Sequence, residues 1–299
     1  MSNAPPRIAA LHDRAVLAVA GRDARAFLHA QLTQSIADLP ADRSTLAAWA
    51  DARGRVRALL RVVQTPESWL LVTSADLADS VLAKLRLYVL RADVALARAP
   101  VDVFALAGDA RAWLESAGIE LAHAKDAQAA AHGVTWVRAG PELVYALGPE
   151  DAVRAATAAA AAAADGADAV ELAEIRLGLP VVDTSSTERY IPQMLNLDEL
   201  GAVSFGKGCY PGQEVIARTQ NLGAVKRRLR AFAAAAQALP ARGAPITGPD
   251  GASAGEVNRA ARAPGGVELL AVVRVDLPAA ALSLDGAPLT ELAPPPAPL

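Results

Sequence analysis

The sequence predicts an α+β protein of more than one domain, ending in a small antiparallel β-barrel or sandwich. Three observations predict it. The chain has 299 residues, enough for two or three cores. Up to about residue 225, period-2 apolar stretches alternate with helical spacing. After that, short strand-like runs are punctuated by Gly and Pro.

The elements follow in order. "AVLAVAG" (15–21) reads as a buried strand ended by Gly21, and the apolar spacing of 22–39 predicts a helix stopped by Pro40. "STLAAWADARGRVRALLRVVQT" predicts a hairpin turning at "DARG", with Val56, Leu60 and Val62 in its second strand. "SWLLVTS" is a strand, and "ADLADSVLAKLRLYVL" a helix starting near Ser74 or Asp76. "VDVFALAG" predicts a strand, "DARAWLESAG" a helix closed by Gly118, and "GVTWVRAG" with "ELVYALG" a strand pair. "PEDAVRAATAAAAAAADG" predicts a helix with Pro149 near its first turn. The segment containing Glu174 reads as a strand. "RRLRAFAAA", "GAPITG", "GASAGEVNRA" and "GGVELLAVVRVD" supply the strands of the C-terminal module.

The net charge of −3 excludes a polycation but not a local basic patch. No signal peptide and no apolar run long enough for a membrane helix is visible, so a soluble cytoplasmic protein is expected. One cysteine excludes an intrachain disulfide framework, and no metal site is expected. His12, His29, His123 and His132 share no metal-ligand spacing.

That cysteine, Cys209, lies in "SFGKGCYPGQEVIARTQ". "YPGQ" fits a type II turn, with Pro211 setting φ and Gly212 supplying φ > 0. Lys207 is two residues from the sulfur, and a neighbouring cation favours a thiolate. A buried, inert cysteine is the competing reading, and the residue pattern alone leaves the two even. Phosphate and dinucleotide loops are excluded: Gly208 stands where a Ser or Thr is needed, and the glycine spacing misses by one residue.

"KGCYPGQE" resembles the signature of the YgfZ family, folate-binding factors for iron–sulfur proteins and relatives of the glycine cleavage aminomethyltransferase. K-G-C-Y-x-G-Q-E matches seven of eight positions fixed. "GRDARAFLHAQLTQSIADL", "AAWADARGRVRALLRV", "RLGLPVVD" and "YIPQMLNLDELGAVSF" resemble further family segments in order, covering most of 11–230.

The resemblance implies a three-domain, aminomethyltransferase-like α+β fold arranged around a central folate site. Residues 1–45 and 100–223 would form a discontinuous folate-binding core and 46–99 a second lobe. Residues 224–292 would form the barrel and 293–299 a flexible tail. It also implies tetrahydrofolate or a one-carbon derivative as cofactor, and iron–sulfur client enzymes or assembly proteins as partners. These clients include enzymes that thiolate tRNA. Cys209 would be the essential thiol with Lys207 beside it, and Gly208, Tyr210, Gly212, Gln213 and Glu214 the rest of the loop. Gln193, Asn196, Glu174, Arg228 and Arg230 are the expected folate contacts, although from the residues alone the "KRRLR" charges read slightly better as a solvated strand or loop face.

One departure bears on activity. Aminomethyltransferases carry a carboxylate in the second hairpin strand, where this chain has Ala58 and Leu59. Aminomethyl transfer is therefore disfavoured and conventional turnover is not expected, with a folate-dependent one-carbon transferase as the alternative. A pure binding module with weak tRNA contact through "KRRLR" is the third reading.

Overall fold

The computed structural model describes residues 5–158, 166–223 and 225–293. Its first elements are β1 (Arg7–Ala10), β2 (Arg14–Ala20), α1 (Ala24–Gln31), β3 (Thr45–Ala50), β4 (Val56–Gln64) and β5 (Trp69–Ser74). Next come α2 (Ala78–Arg86), β6 (Ala95–Arg98), β7 (Asp102–Ala107), α3 (Arg111–Ser116), β8 (Gln128–Ala131), β9 (Val134–Gly140) and β10 (Leu143–Gly148). The chain continues through α4 (Glu150–Ala156), α5 (Gly166–Arg176), α6 (Gln213–Leu222) and β11 (Arg227–Ala234). It ends with β12 (Pro245–Thr247), β13 (Ser253–Ala263), β14 (Gly266–Arg274), β15 (Ser283–Leu284) and β16 (Ala287–Glu291).

Three β bodies result. One antiparallel sheet runs β3-β4-β5-β2-β6, a second β1-β7-β10-β9-β8, and the last six strands close into a barrel. The barrel expected after residue 225 is thus present. Strand β2, within 1–45, pairs with β5 and β6 from 46–99, so strand pairing crosses the expected boundary at 45/46. The proposed tail lies, but for residue 293, outside the described residues, as do 159–165 of the alanine run.

The hairpin β3–β4 turns at 51–54 as its sequence predicts, with the Gly54 amide donating to Asp51 O at 2.9 Å and Gly54 at φ +73°. Alternation along β4 then decides two faces. Val56, Ala58, Leu60 and Val62 enter the core beneath α1 and α2. Val63, on the other face, packs with Val16, Leu70, Val103, Val137 and Leu147 to join the two sheets. A separate core fills the outer side of the second sheet, where Trp113 and Trp136 rings lie 6.0 Å apart. Phe232, Leu269 and Val273 fill the barrel. Burying each such side chain contributes about 1.5–3 kcal/mol.

Several boundaries differ from the sequence reading. The first helix stops at Gln31 rather than near 39, because Thr33 is pinned elsewhere. Its hydroxyl donates to Ala202 O (2.7 Å) and accepts from the Ala48 amide (2.8 Å). Helix α2 ends at Arg86, and β6 follows where no strand was expected. Glu174 lies on a helix, not a strand: "GADAVELAEIR" is rich in Ala and Glu, which favour helix. That helix closes with Gly178 at φ +68°, its amide on Ile175 O and the Leu179 amide on Glu174 O. These paired bonds are a Schellman cap, and Pro180 prevents continuation.

Candidate functional site

Where the two sheets and the barrel meet, a cavity with about 70 Å³ of internal space opens to solvent. Leu46, Leu59, Val72, Val103, Leu147 and Val181 give it apolar walls. Its polar lining is Arg14, Arg61, Thr73, Ser74, Tyr145, Glu174 and Arg259. They come from six elements: Arg14 opens β2, Arg61 is on β4, Thr73 and Ser74 end β5, Tyr145 is on β10, Glu174 on α5 and Arg259 on β13.

Glu174 is the hub. It accepts from the Tyr145 hydroxyl and from Arg259 in short contacts, and from Arg14 Nη2 at 3.4 Å. Arg259 also makes a two-pronged contact with Glu171, both bonds 2.7 Å, and donates to Leu179 O at 2.8 Å. Burial opposes ionisation of Glu174, but Arg259 and Arg14 overcome it and hold the carboxyl down at about pKa 2. Burial and the adjacent Glu174 charge push the Tyr145 phenol well above its ordinary value. Glu174 is therefore a fixed anion whose two oxygens already take three donors, leaving room for about one more.

Arg61 is only half satisfied. Its Nη1 contacts Asp126 and lies 3.5 Å from Ser44 Oγ, while Nε and Nη2 are buried without a partner. Thr73 Oγ1 is likewise buried and unpaired. Among the described residues lining the cavity, these are the orphaned polar atoms.

The cysteine motif is built differently, and none of residues 204–220 lines this cavity. Lys207 is buried, and its ammonium donates to the carbonyls of His29, Leu32 (2.6 Å) and Gln34 (3.2 Å). It thus caps the C-terminal end of α1, where unpaired carbonyls attract a cation. Burial lowers the Lys207 ammonium to about 8. The expectation that Lys207 serves the thiol is not reflected in its bonding, because those three carbonyls hold its head. It also stands 5.1 Å from the centre of the Tyr210 ring. Tyr210 packs into the main core, and burial raises its phenol to about 12.

The turn at 210–213 is type II: Gly212 has φ +81°, ψ 0°, and the Gln213 amide donates to Tyr210 O at 3.2 Å. A Cβ on Gly212 would overlap Asp51 O and come 2.7 Å from Gly54 Cα, so two glycines allow the loop to rest on the hairpin turn. Gln213 and Glu214 form the first turn of α6 rather than loop. Gln213 Nε2 reaches Lys207 O at 3.4 Å, and Glu214 pairs with Arg218 at 2.7 Å. Gly208 has open space around it, and Cys209 is exposed.

Of the expected folate contacts, Glu174 lines the cavity. Gln193 is buried and donates to Ile216 O at 2.8 Å, and Asn196 donates to Leu229 O at 2.8 Å. Arg228 pairs with Asp198 (3.0 Å) and Glu199 (2.8 Å), and Arg230 with Glu291 (2.6 Å). These four hold segments of the chain together, and none lines the cavity. Sequence reasoning missed Arg14, Arg61, Thr73, Tyr145 and Arg259. The available signal was an arginine inside apolar strand sequence, "ALLRVV" and "EVNRA".

The fold has known counterparts. The fold is that of aminomethyltransferase T of the glycine cleavage system from Bartonella henselae, with a TM-score of 0.78 over 98% of this chain and 86% of that one, at 18% identity. No family model matches the chain. Among curated proteins, it is 30% identical over 248 residues to the tRNA-modifying protein YgfZ of Escherichia fergusonii, covering 80% of this chain and 75% of that protein. It is 31% identical over 256 residues to the tRNA-modifying protein YgfZ of Yersinia enterocolitica, covering 81% and 75%. The chain belongs to the YgfZ family.

Proposed function

We propose that this protein binds tetrahydrofolate or a one-carbon derivative in the central cavity. In this reading it supports tRNA modification by maintaining iron–sulfur enzymes, with Cys209 as its working thiol. The observation that carries the reading is the cavity itself: apolar walls with a few converging polar groups suit a flat heterocycle and aryl linker. Its orphaned donors suit a ligand that carries acceptors. Glu174, with one lone-pair site to spare, would receive an N–H of the heterocycle, and Leu46, Leu59 and Val72 would flank the rings. The curated relatives carry tRNA modification in their names.

Aminomethyl transfer has less support. Leu59 lines the cavity and Ala58 lies in the core, so neither offers a carboxylate to a reacting amine. Glu174 is the one carboxylate among the described lining residues, and its ion pairs keep it from acting as a base. In this reading the thiol, which is exposed, serves partner, sulfur or redox chemistry outside the cavity.

The test is the level of thiolated tRNA in cells lacking this gene, complemented with wild type or Cys209→Ala. Rescue by wild type alone supports the reading. Equal rescue by both removes the thiol from it. Failure of both, with folded protein present, contradicts the tRNA role.

A further inference from the structure

We infer that Arg61 and Thr73 form an acceptor-binding subsite in the wall of the cavity, reading two adjacent acceptor atoms of the ligand. The inference rests on the folate reading above and names how that ligand is recognised.

Arg61 is 5% exposed and Thr73 3% exposed. Leaving a guanidinium edge and a hydroxyl buried and unpaired is unfavourable, because each gives up water without gaining a partner. Native proteins keep few such groups without a reason. The unpaired atoms of Arg61 are Nε and Nη2, which share one edge of the guanidinium. That edge makes two parallel bonds to a carboxylate or to a carbonyl beside a ring nitrogen. Meanwhile Nη1 is held by Asp126, which anchors the fork in the wall of the cavity. Asp126, Glu171 and Asp13 each pair with one of the three lining guanidiniums, so the subsite rests on the open edge of Arg61 and not on net charge.

Tetrahydrofolate offers such an acceptor pair at each glutamyl carboxylate, while its reduced pteridine offers single acceptors, the C4 carbonyl and N1, each flanked by N–H groups. Titration calorimetry with three probes separates these sources: tetrahydrofolate, 6,7-dimethyltetrahydropterin as head alone, and 4-aminobenzoyl-glutamate as tail alone. Arg61→Lys keeps a cation for Asp126 but removes the fork. Thr73→Val keeps the shape but removes the hydroxyl. Thermal melts confirm that each variant is folded.

Arg61→Lys is expected to weaken tetrahydrofolate binding about tenfold or more, and Thr73→Val by a smaller factor. The fragment whose affinity falls in parallel identifies the end that is read. Unchanged tetrahydrofolate affinity in both folded variants overturns the inference and leaves the folate reading standing. Absence of tetrahydrofolate binding by the wild type overturns both.

Discussion

The cavity and the cysteine loop solve opposite problems. In the cavity, Arg14, Tyr145, Glu174 and Arg259 arrive from four separate elements and meet as a buried charged cluster. In the loop, Lys207, Tyr210, Gly212 and Gln213 are neighbours in sequence and act mostly on backbone. The cluster ties three bodies together around a space. The loop fixes a short segment against α1 and the hairpin turn, leaving its sulfur in solvent. A buried site is held by pairing charges, whereas an exposed thiol is held by caps and glycines.

The two regions therefore respond to substitution differently. Glu174→Ala gives the largest effect, since it strands Arg259 and Arg14 in the interior. Chemical denaturation is expected to show a loss of about 3–5 kcal/mol. The same carboxyl makes the protein acid-sensitive. Its folded value of about 2 is below its ordinary 4.5, so its stabilisation is complete above pH 4.5 and is lost as pH falls toward 2. In Glu174→Gln, melts across that window are expected to lose part of this pH dependence.

Lys207→Met comes next, leaving the carbonyls of His29, Leu32 and Gln34 without their shared donor. A loss of about 1–3 kcal/mol in denaturant melts is expected. Gly212→Ala forces a side chain into Asp51 O at positive φ. It is expected to destabilise by about 1–3 kcal/mol and to change hydrogen exchange in the 51–54 turn. Cys209→Ala is the smallest: stability within about 0.5 kcal/mol of wild type, because the residue is exposed. A maleimide should label Cys209 in the native protein about as fast as in urea. Slow native labelling would place the sulfur in a covered site and dissolve the contrast.

The same contrast explains what the sequence disclosed. The loop was legible because its chemistry is contiguous: Pro211 and Gly212 specify their turn, and the eight-residue signature carries the family. The barrel was legible from the spacing of its Gly and Pro residues. The cavity was not legible, because Glu174 lies 160 residues from Arg14 and 85 from Arg259. Only folding brings them together. Gln193, Asn196, Arg228 and Arg230 show the converse. Polar residues near a signature look like ligand contacts, yet side chains of this type also bind segments of their own chain. Lys207 gives the same lesson within the motif, where closeness in sequence to Cys209 says nothing of where its head is bonded.

The most direct measurement is tetrahydrofolate affinity by titration calorimetry for wild type, Leu59→Trp and Cys209→Ala, each confirmed folded. Leu59→Trp fills the cavity and leaves the loop untouched. The account predicts binding to wild type and Cys209→Ala alike, and loss of binding in Leu59→Trp. Binding that survives Leu59→Trp but fails in Cys209→Ala would put the ligand at the loop and contradict the division of labour between the two regions.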